Sequence, residues 1–280
     1  ARLSTRVESR WTEIPVITAE IRGADEDFVM VTGHVDSWGL GALDNASGNA
    51  CAVELARILA PLASDMRRSV RFVLWSGHSH GRYAGSTAWC DAHFEELERH
   101  CLLNVNSDCL GGRGATVMTE SPAMASTRGL ARTALREAAG VTDWRGCRFS
   151  RSCDQSFWGA GVPSIFSQVS EQPPFEGAAA DAFGKMFGSG RTGGFGAWWH
   201  TRTDTPDKLD PENLARDVRV FASVLAHALF DERLPVDAAA EVLELRDELK
   251  AWQEKAGDSL DLSEVLARLC LLYTSPSPRD

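Results

Sequence analysis

The sequence contains no apolar run approaching the roughly 18 residues that a membrane-spanning helix requires. It carries no recognisable export leader and begins at Ala1 rather than Met. That start is expected of a fragment or processed piece, so compartment stays open. Basic residues are outnumbered: 29 Lys and Arg against 39 Asp and Glu leave a net charge of −10. Such a chain lacks the basic face that nucleic-acid phosphates demand, which excludes nucleic acid as the expected partner. Cysteine is sparse, at positions 51, 90, 101, 109, 147, 153 and 270, with no C-x-x-C spacing. A disulfide framework or a thiolate zinc site is therefore not expected, and most of these cysteines read as small buried residues. Internal repeats are absent.

What is present is ordinary globular material. Hydrophobic residues make up 44% and charged residues 24% of 280 positions. A chain of this length buries about three quarters of its unfolded surface, enough for a full core. The segment Leu271 to Asp280 resembles a translated sequencing-adaptor tail; we read 270–280 as an artefactual or disordered tail, without a role in the fold.

Strand and helix patterns alternate. Ile14 to Ile21 and Phe28 to Thr32 read as neighbouring strands joined by a turn at Gly23-Ala24-Asp25-Glu26. After Asn45, Cys51, Leu55, Ile58 and Leu62 mark one apolar helix face. Val70 to Trp75 is a continuous apolar run of the kind buried in a sheet covered on both faces. The pattern then predicts a helix over Tyr83 to Arg99, strands at Leu102 to Val105, Ala115 to Met118 and Pro163 to Ser167, and a helix over Ala123 to Ala139. Residues 171–197 read as a long loop that forms a lid or binding surface. A further helix follows Pro211. This alternation predicts an α/β fold, a three-layer α/β/α sandwich with a mainly parallel mixed sheet, over residues 1–234. Residues 235–269 are expected to add a helical extension, with Val242, Leu245, Leu249 and Trp252 as one stripe. That stripe packs on the domain or serves a homodimer.

The chemistry-bearing residues lie where strands end. Gly33-His34-Val35-Asp36 closes the second strand, and Gly41-Ala42-Leu43-Asp44-Asn45-Ala46-Ser47-Gly48 leads into a helix. Loops at strand ends in α/β sheets present ligands to a crevice. Alone, Asp44 reads as a helix N-cap, Asp108 as a turn former and His200 as a packed neighbour of Trp198 and Trp199. Together, His34, Asp44, Asp108 and His200 offer the nitrogen and oxygen donors that zinc prefers. Asp36, two residues after His34, can hydrogen-bond its outer ring nitrogen and fix the tautomer.

Taken in order, Gly33-His34-Val35-Asp36, Gly41 to Gly48, Asn106-Ser107-Asp108 and Trp199-His200-Thr201 resemble the motifs of the co-catalytic zinc exopeptidases. That group includes bacterial leucyl aminopeptidases, glutamate carboxypeptidase and the non-enzymatic transferrin receptor. The resemblance covers about residues 14–230. It implies one or two zinc ions, with Asp44 bridging them, His34 and Asp108 on one side and His200 on the other. Asp36 would support His34, and the substrate would be a peptide or amino-acyl compound. It also implies a protease-associated domain upstream of Ala1.

The chain departs from that pattern at one important place. Where the family carries a Glu-Glu pair and a glycine, this sequence reads Gly77-His78-Ser79-His80-Gly81. His78 is then the candidate general base, because imidazole accepts a proton near neutral pH. His78 or His80 as a zinc ligand, or a single ion held by His34, Asp44 and Asp108, are the alternatives, as is a fold that has lost catalysis and only binds. Gln155 replaces a histidine in the stretch Ser152-Cys153-Asp154-Gln155, which bears on the substrate pocket. Trp198, Trp199 and the 171–197 loop are expected to shape that pocket. Gly77 to Gly81 is also a literal G-x-S-x-G, so Ser79 with Asp108 or Asp204 and His200 or His227 forms a rival serine-hydrolase reading.

Overall fold

The computed structural model describes residues 2–148, 156–174, 176–178, 181, 185 and 194–274, the last five as backbone only. Its centre is strand β2 (Phe28–His34), buried along its whole length. Side chains alternate across a strand, so Val29 and Val31 enter one core while Phe28 and Met30 enter another. The first core joins β2 and β3 (Ser69–Trp75) to helices α1 (Gly48–Leu59), α4 (Arg128–Ala139) and α5 (Pro211–Phe230). On the opposite face lie α2 (Ala84–Ala92), α3 (Phe94–His100) and the turn Trp158–Ala160. With β1 (Val16–Ile21), β4 (Cys101–Asn106) and β5 (Ser164–Ile165), this is a mixed five-stranded sheet flanked by helices.

The strand order is β1-β3-β2-β4-β5, parallel except for antiparallel β1. The expectation that β1 and β2 are neighbours is overturned. β3 inserts between them, pairing Val16 with Trp75 and Ile21 with Val70 on one side and Phe28 with Ser69 on the other. The reason lies in burial and in the turn. β2 is buried throughout and needs a strand on each flank, whereas β1 is exposed over Ile17–Glu20 and suits an edge. The Gly23 turn is bound to the entrance of β3, with Ala24 N–H on Met66 O and Asp25 N–H on Arg67 O.

Smaller corrections follow from local geometry. The helix expected over Tyr83 to Arg99 divides at His93 into α2 and α3. Ala115 to Met118 is a loop with one bridge, Val117 to Glu171, and the strand at Pro163 to Ser167 shortens to β5. Helix α4 starts at Arg128, after a tight turn over Ala125–Thr127. Much of the 171–197 loop, together with 149–155, lies outside the described residues.

Helix α5 is capped by Asp210, whose carboxylate accepts the Glu212 and Asn213 N–H groups, with Pro211 in the first turn. Beyond it come α6 (Ala238–Ala256) and α7 (Ser263–Thr274). The tail expected from residue 270 is thus helical in backbone as far as Thr274. Helix α6 meets the domain through Glu241, which accepts from Ser126, and Glu244, which pairs with Arg128. Of the expected stripe, Leu245 and Trp252 remain exposed. No helix among the described residues is long and apolar enough to cross a membrane.

His227 ties α5 to α4 by facing Glu137 at 3.0 Å and Asp231 at 2.8 Å. Hydrogen bonds to those two carboxylates raise its pKa. Stability from this contact is complete below the ordinary histidine value of about 6.5 and is lost as pH rises through the raised folded value. Melting temperatures of wild type and His227→Gln should therefore differ most at acid pH and converge at alkaline pH. A gap of constant size across the series would refute this account.

Candidate metal centre

Parallel β3, β2 and β4 all end at the same edge of the sheet, where loops can converge. His34 is the last residue of β2 and is 1% exposed. Its Nδ1 donates to the main-chain oxygen of Asp36 at 2.7 Å, which turns Nε2 inward. Asp36 makes this contact with its main chain alone. Its carboxylate stands 3.7 Å from Nδ1 and accepts instead from the backbone N–H groups of His78 (3.1 Å), Ser79 (2.8 Å) and His80 (3.4 Å). Asp36 orients His34 through its carbonyl and shapes the 77–81 loop through its side chain.

Asp44 sits in the irregular turn Ala42–Ser47 between β2 and α1. Gly41 opens that turn at φ +62°, where a β-carbon would come within 2.4 Å of Ser37 and 2.5 Å of the Asp44 carbonyl, so only glycine fits. The Leu43 and Asp44 N–H groups both donate to buried Asp204, at 2.8 and 3.0 Å. Asp44 is not the cap of α1. That position is Ser47, and the first N–H of the helix, at Gly48, donates to Asn45 Oδ1; Asn45 also accepts from Cys109 N–H and donates to Ser107 O and His34 O. One buried amide thus ties three loops together. Asp44 is thereby left with its oxygens toward two imidazoles: Oδ1 lies 3.0 Å from His34 Nε2 and Oδ2 lies 3.0 Å from His200 Nε2. Asp108, after β4, places Oδ2 3.6 Å from His34 Nε2.

The chemistry of this donor set fits a divalent cation. His34 Nε2 and Asp108 Oδ1 are buried and have no hydrogen-bond partner, which is costly unless something else satisfies them. Two ligands at about 2.1 Å from one zinc ion stand about 3.0–3.4 Å apart; His34 Nε2 lies 3.0 Å from Asp44 Oδ1 and 3.6 Å from Asp108 Oδ2, close to that spacing. The electrostatics agree. Burial opposes charge on His34, but Asp108 and then Asp44 outweigh it and push its pKa up to about 11. Asp44 is held well below the usual carboxylate range: burial works the other way, and the His200 and His34 imidazoles beside it override it. The cluster calls for positive charge.

The candidates from the 77–81 loop separate. His78 stacks flat on His34, ring centroids 4.0 Å apart and planes 7° apart, and its ligand atom lies within 4.8 Å of those of His34 and Asp108. His80 is exposed, with Nε2 2.9 Å from the Ser37 carbonyl and its ring 5.3 Å from Trp38. Trp199 stacks on His200 at 3.6 Å, and Trp38 stands 5.8 Å from the same ring. The Ser79 reading meets a geometric objection: its helix does not begin until Ala84, whereas a nucleophile elbow turns directly from strand to helix. Ser79 Oγ donates to the Asp36 carbonyl, and His227 is engaged with Glu137 and Asp231. Cys153, Asp154 and Gln155 lie outside the described residues.

The model of the family described as Peptidase family M28 matches residues 16–225. The chain belongs to peptidase family M28. Among curated relatives it is 24% identical over 213 residues to Aminopeptidase YwaD of Bacillus subtilis, covering 75% of this chain and 43% of that protein. It is 25% identical over 128 residues to a Glutamate carboxypeptidase 2 homolog of Caenorhabditis briggsae, covering 44% of this chain and 16% of the relative. The chain therefore spans well under two thirds of these relatives. A solved zinc aminopeptidase from Bacillus subtilis superposes with a TM-score of 0.60 at 21% identity, covering 78% of this chain and 51% of that one. An Acidobacteriales bacterium glutaminyl cyclase shares the fold at a TM-score of 0.57 and 14% identity, covering 76% and 72%.

Two residues that hold this centre carry no mark of that part in the sequence: Asn45 stands there only within a motif and Asp204 only as a rival triad member. The available signal is polarity beside a candidate ligand, since both are buried and hydrogen-bonded with the motif loops.

Proposed function

We propose that this M28 chain is a zinc-dependent exopeptidase domain that removes terminal residues from peptides or amino-acyl substrates. His34, Asp44, Asp108 and His200 would hold the metal, with Asp44 shared between two ions. One observation carries the reading: the two oxygens of one buried carboxylate each face a different imidazole nitrogen at 3.0 Å. When bound, zinc supplies Lewis acidity, polarising a carbonyl and lowering the pKa of water toward 7.

The chain's own residues do the rest. His34 offers Nε2 as a lone pair because Nδ1–H is committed to the Asp36 carbonyl. Asp36 holds the 77–81 loop by its backbone, and so sets where His78 stands. A ring nitrogen of His78 accepts the proton of the attacking water and returns it to the leaving nitrogen. Trp38 and Trp199 wall the His200 side, giving a substrate chain an apolar surface to lie on.

The test is zinc stoichiometry combined with a panel of aminoacyl and acylated peptides. One or two zinc ions per chain and activity abolished by chelation support the proposal; activity that survives complete metal removal refutes it. A chain that binds zinc but hydrolyses nothing would be a binding module, the reading favoured by His78-Ser79 standing where the family's Glu-Glu pair is expected. His78→Ala should lower kcat about 10²- to 10⁴-fold while zinc content is retained. Unchanged turnover would remove His78 as the base.

A further inference from the structure

Immediately after Asp108, Cys109 adopts φ +53°, a left-handed conformation that side chains other than Gly, Asn and Asp seldom occupy. The residue is buried, and its N–H is fixed by the Asn45 side chain at 3.3 Å. This geometry brings its sulfur into a cluster in which the ligand atoms of Asp44, Asp108 and Cys109 all lie within 4.8 Å of one another. Donors sharing one zinc ion stand about 3–4 Å apart, so a small closure places all three on one cation. A second observation points the same way. His34 Nε2, on a side chain 1% exposed, and the buried Asp108 Oδ1 face this cluster without hydrogen-bond partners.

We propose that Cys109 Sγ is a metal donor, binding the same cation as Asp44 and Asp108. This rests on the cluster being a metal centre, as proposed above. Spacing in the sequence provided no reason to expect it, because a single thiol two positions from no other cysteine matches no thiolate-site pattern. On binding, the S–H bond breaks, the sulfur–metal bond forms, and one proton leaves to solvent. A thiolate among oxygen and nitrogen donors softens the site, favouring zinc, cobalt or cadmium over magnesium or manganese.

The experiment loads the purified chain with one equivalent of cobalt(II) and records its absorption, with X-ray absorption fine structure of the zinc-loaded chain alongside. We expect a near-ultraviolet thiolate-to-cobalt charge-transfer band and a sulfur scatterer at about 2.3 Å from zinc. Cys109→Ser should lose the band while still binding cobalt, with zinc affinity at least about tenfold weaker; Cys101→Ser, a buried cysteine outside the cluster, should keep it. Tight cobalt binding with no such band, or a zinc shell of nitrogen and oxygen alone, overturns the proposal and leaves the metal centre standing. Failure to bind either metal overturns both. Should Cys109→Ser not fold, the scattering measurement on wild type decides.

Discussion

His34→Ala should yield a chain that loses zinc and peptidase activity together. The imidazole faces both Asp44 and Asp108, at 3.0 and 3.6 Å, from a fully buried position. On the proposed reading its removal deletes a direct ligand, so metal affinity should fall by more than the roughly 10–100-fold typical of outer-shell partners. Stability should suffer too. Without the ring, buried Asp44 and part-buried Asp108 lose their charged neighbour, and breaking a buried pair in this way costs about 3–5 kcal/mol. Zinc content by mass spectrometry, turnover and urea unfolding report on the three effects. A His34→Ala chain that retains full zinc and turnover would remove the residue from the centre.

Asp204→Ala should be nearly as damaging, although Asp204 touches no candidate ligand side chain. Its two oxygens satisfy the buried N–H groups of Leu43 and Asp44. Burial raises the pKa of this carboxyl, so ionising it is itself costly. Leaving two buried donors unsatisfied is worse, at about 1–3 kcal/mol each, or about 2–6 kcal/mol in all. Because the Ala42–Ser47 turn aims Asp44, activity should fall along with stability. Asp204→Asn keeps one acceptor oxygen and should recover about half of the lost stability. Equal loss in both variants, read from urea midpoints, would contradict the two-acceptor account.

The fold was largely legible. Apolar runs at Phe28 to Thr32 and Val70 to Trp75 read as buried strands, and the intervening helix face reads from its spacing, because burial on two faces or one stripe leaves a local mark. The position of β3 between β1 and β2 was not legible, because pairing joins residues some 50 positions apart and leaves no periodicity in either strand. Likewise the ordered motifs pointed to His34, Asp44, Asp108 and His200, but not to which atoms they present. Asp36 reaches the outer nitrogen of His34 with its main-chain carbonyl, while its carboxylate turns to the 77–81 loop. As alternative zinc ligands the sequence offers His78 and His80 alike, yet one stacks on His34 and the other faces the Ser37 carbonyl.

Residue types and their order alone determined the layered α/β class and the donors available at the strand ends. Only the folded chain decided how those donors meet. Packing of the 34–49, 107–110 and 200–204 segments against each other, through Asn45 and Asp204, sets the two faces of Asp44 and turns Cys109 inward. A hydrogen bond between distant loops is specified by where both ends come to rest, and that is a property of the packed core beneath them.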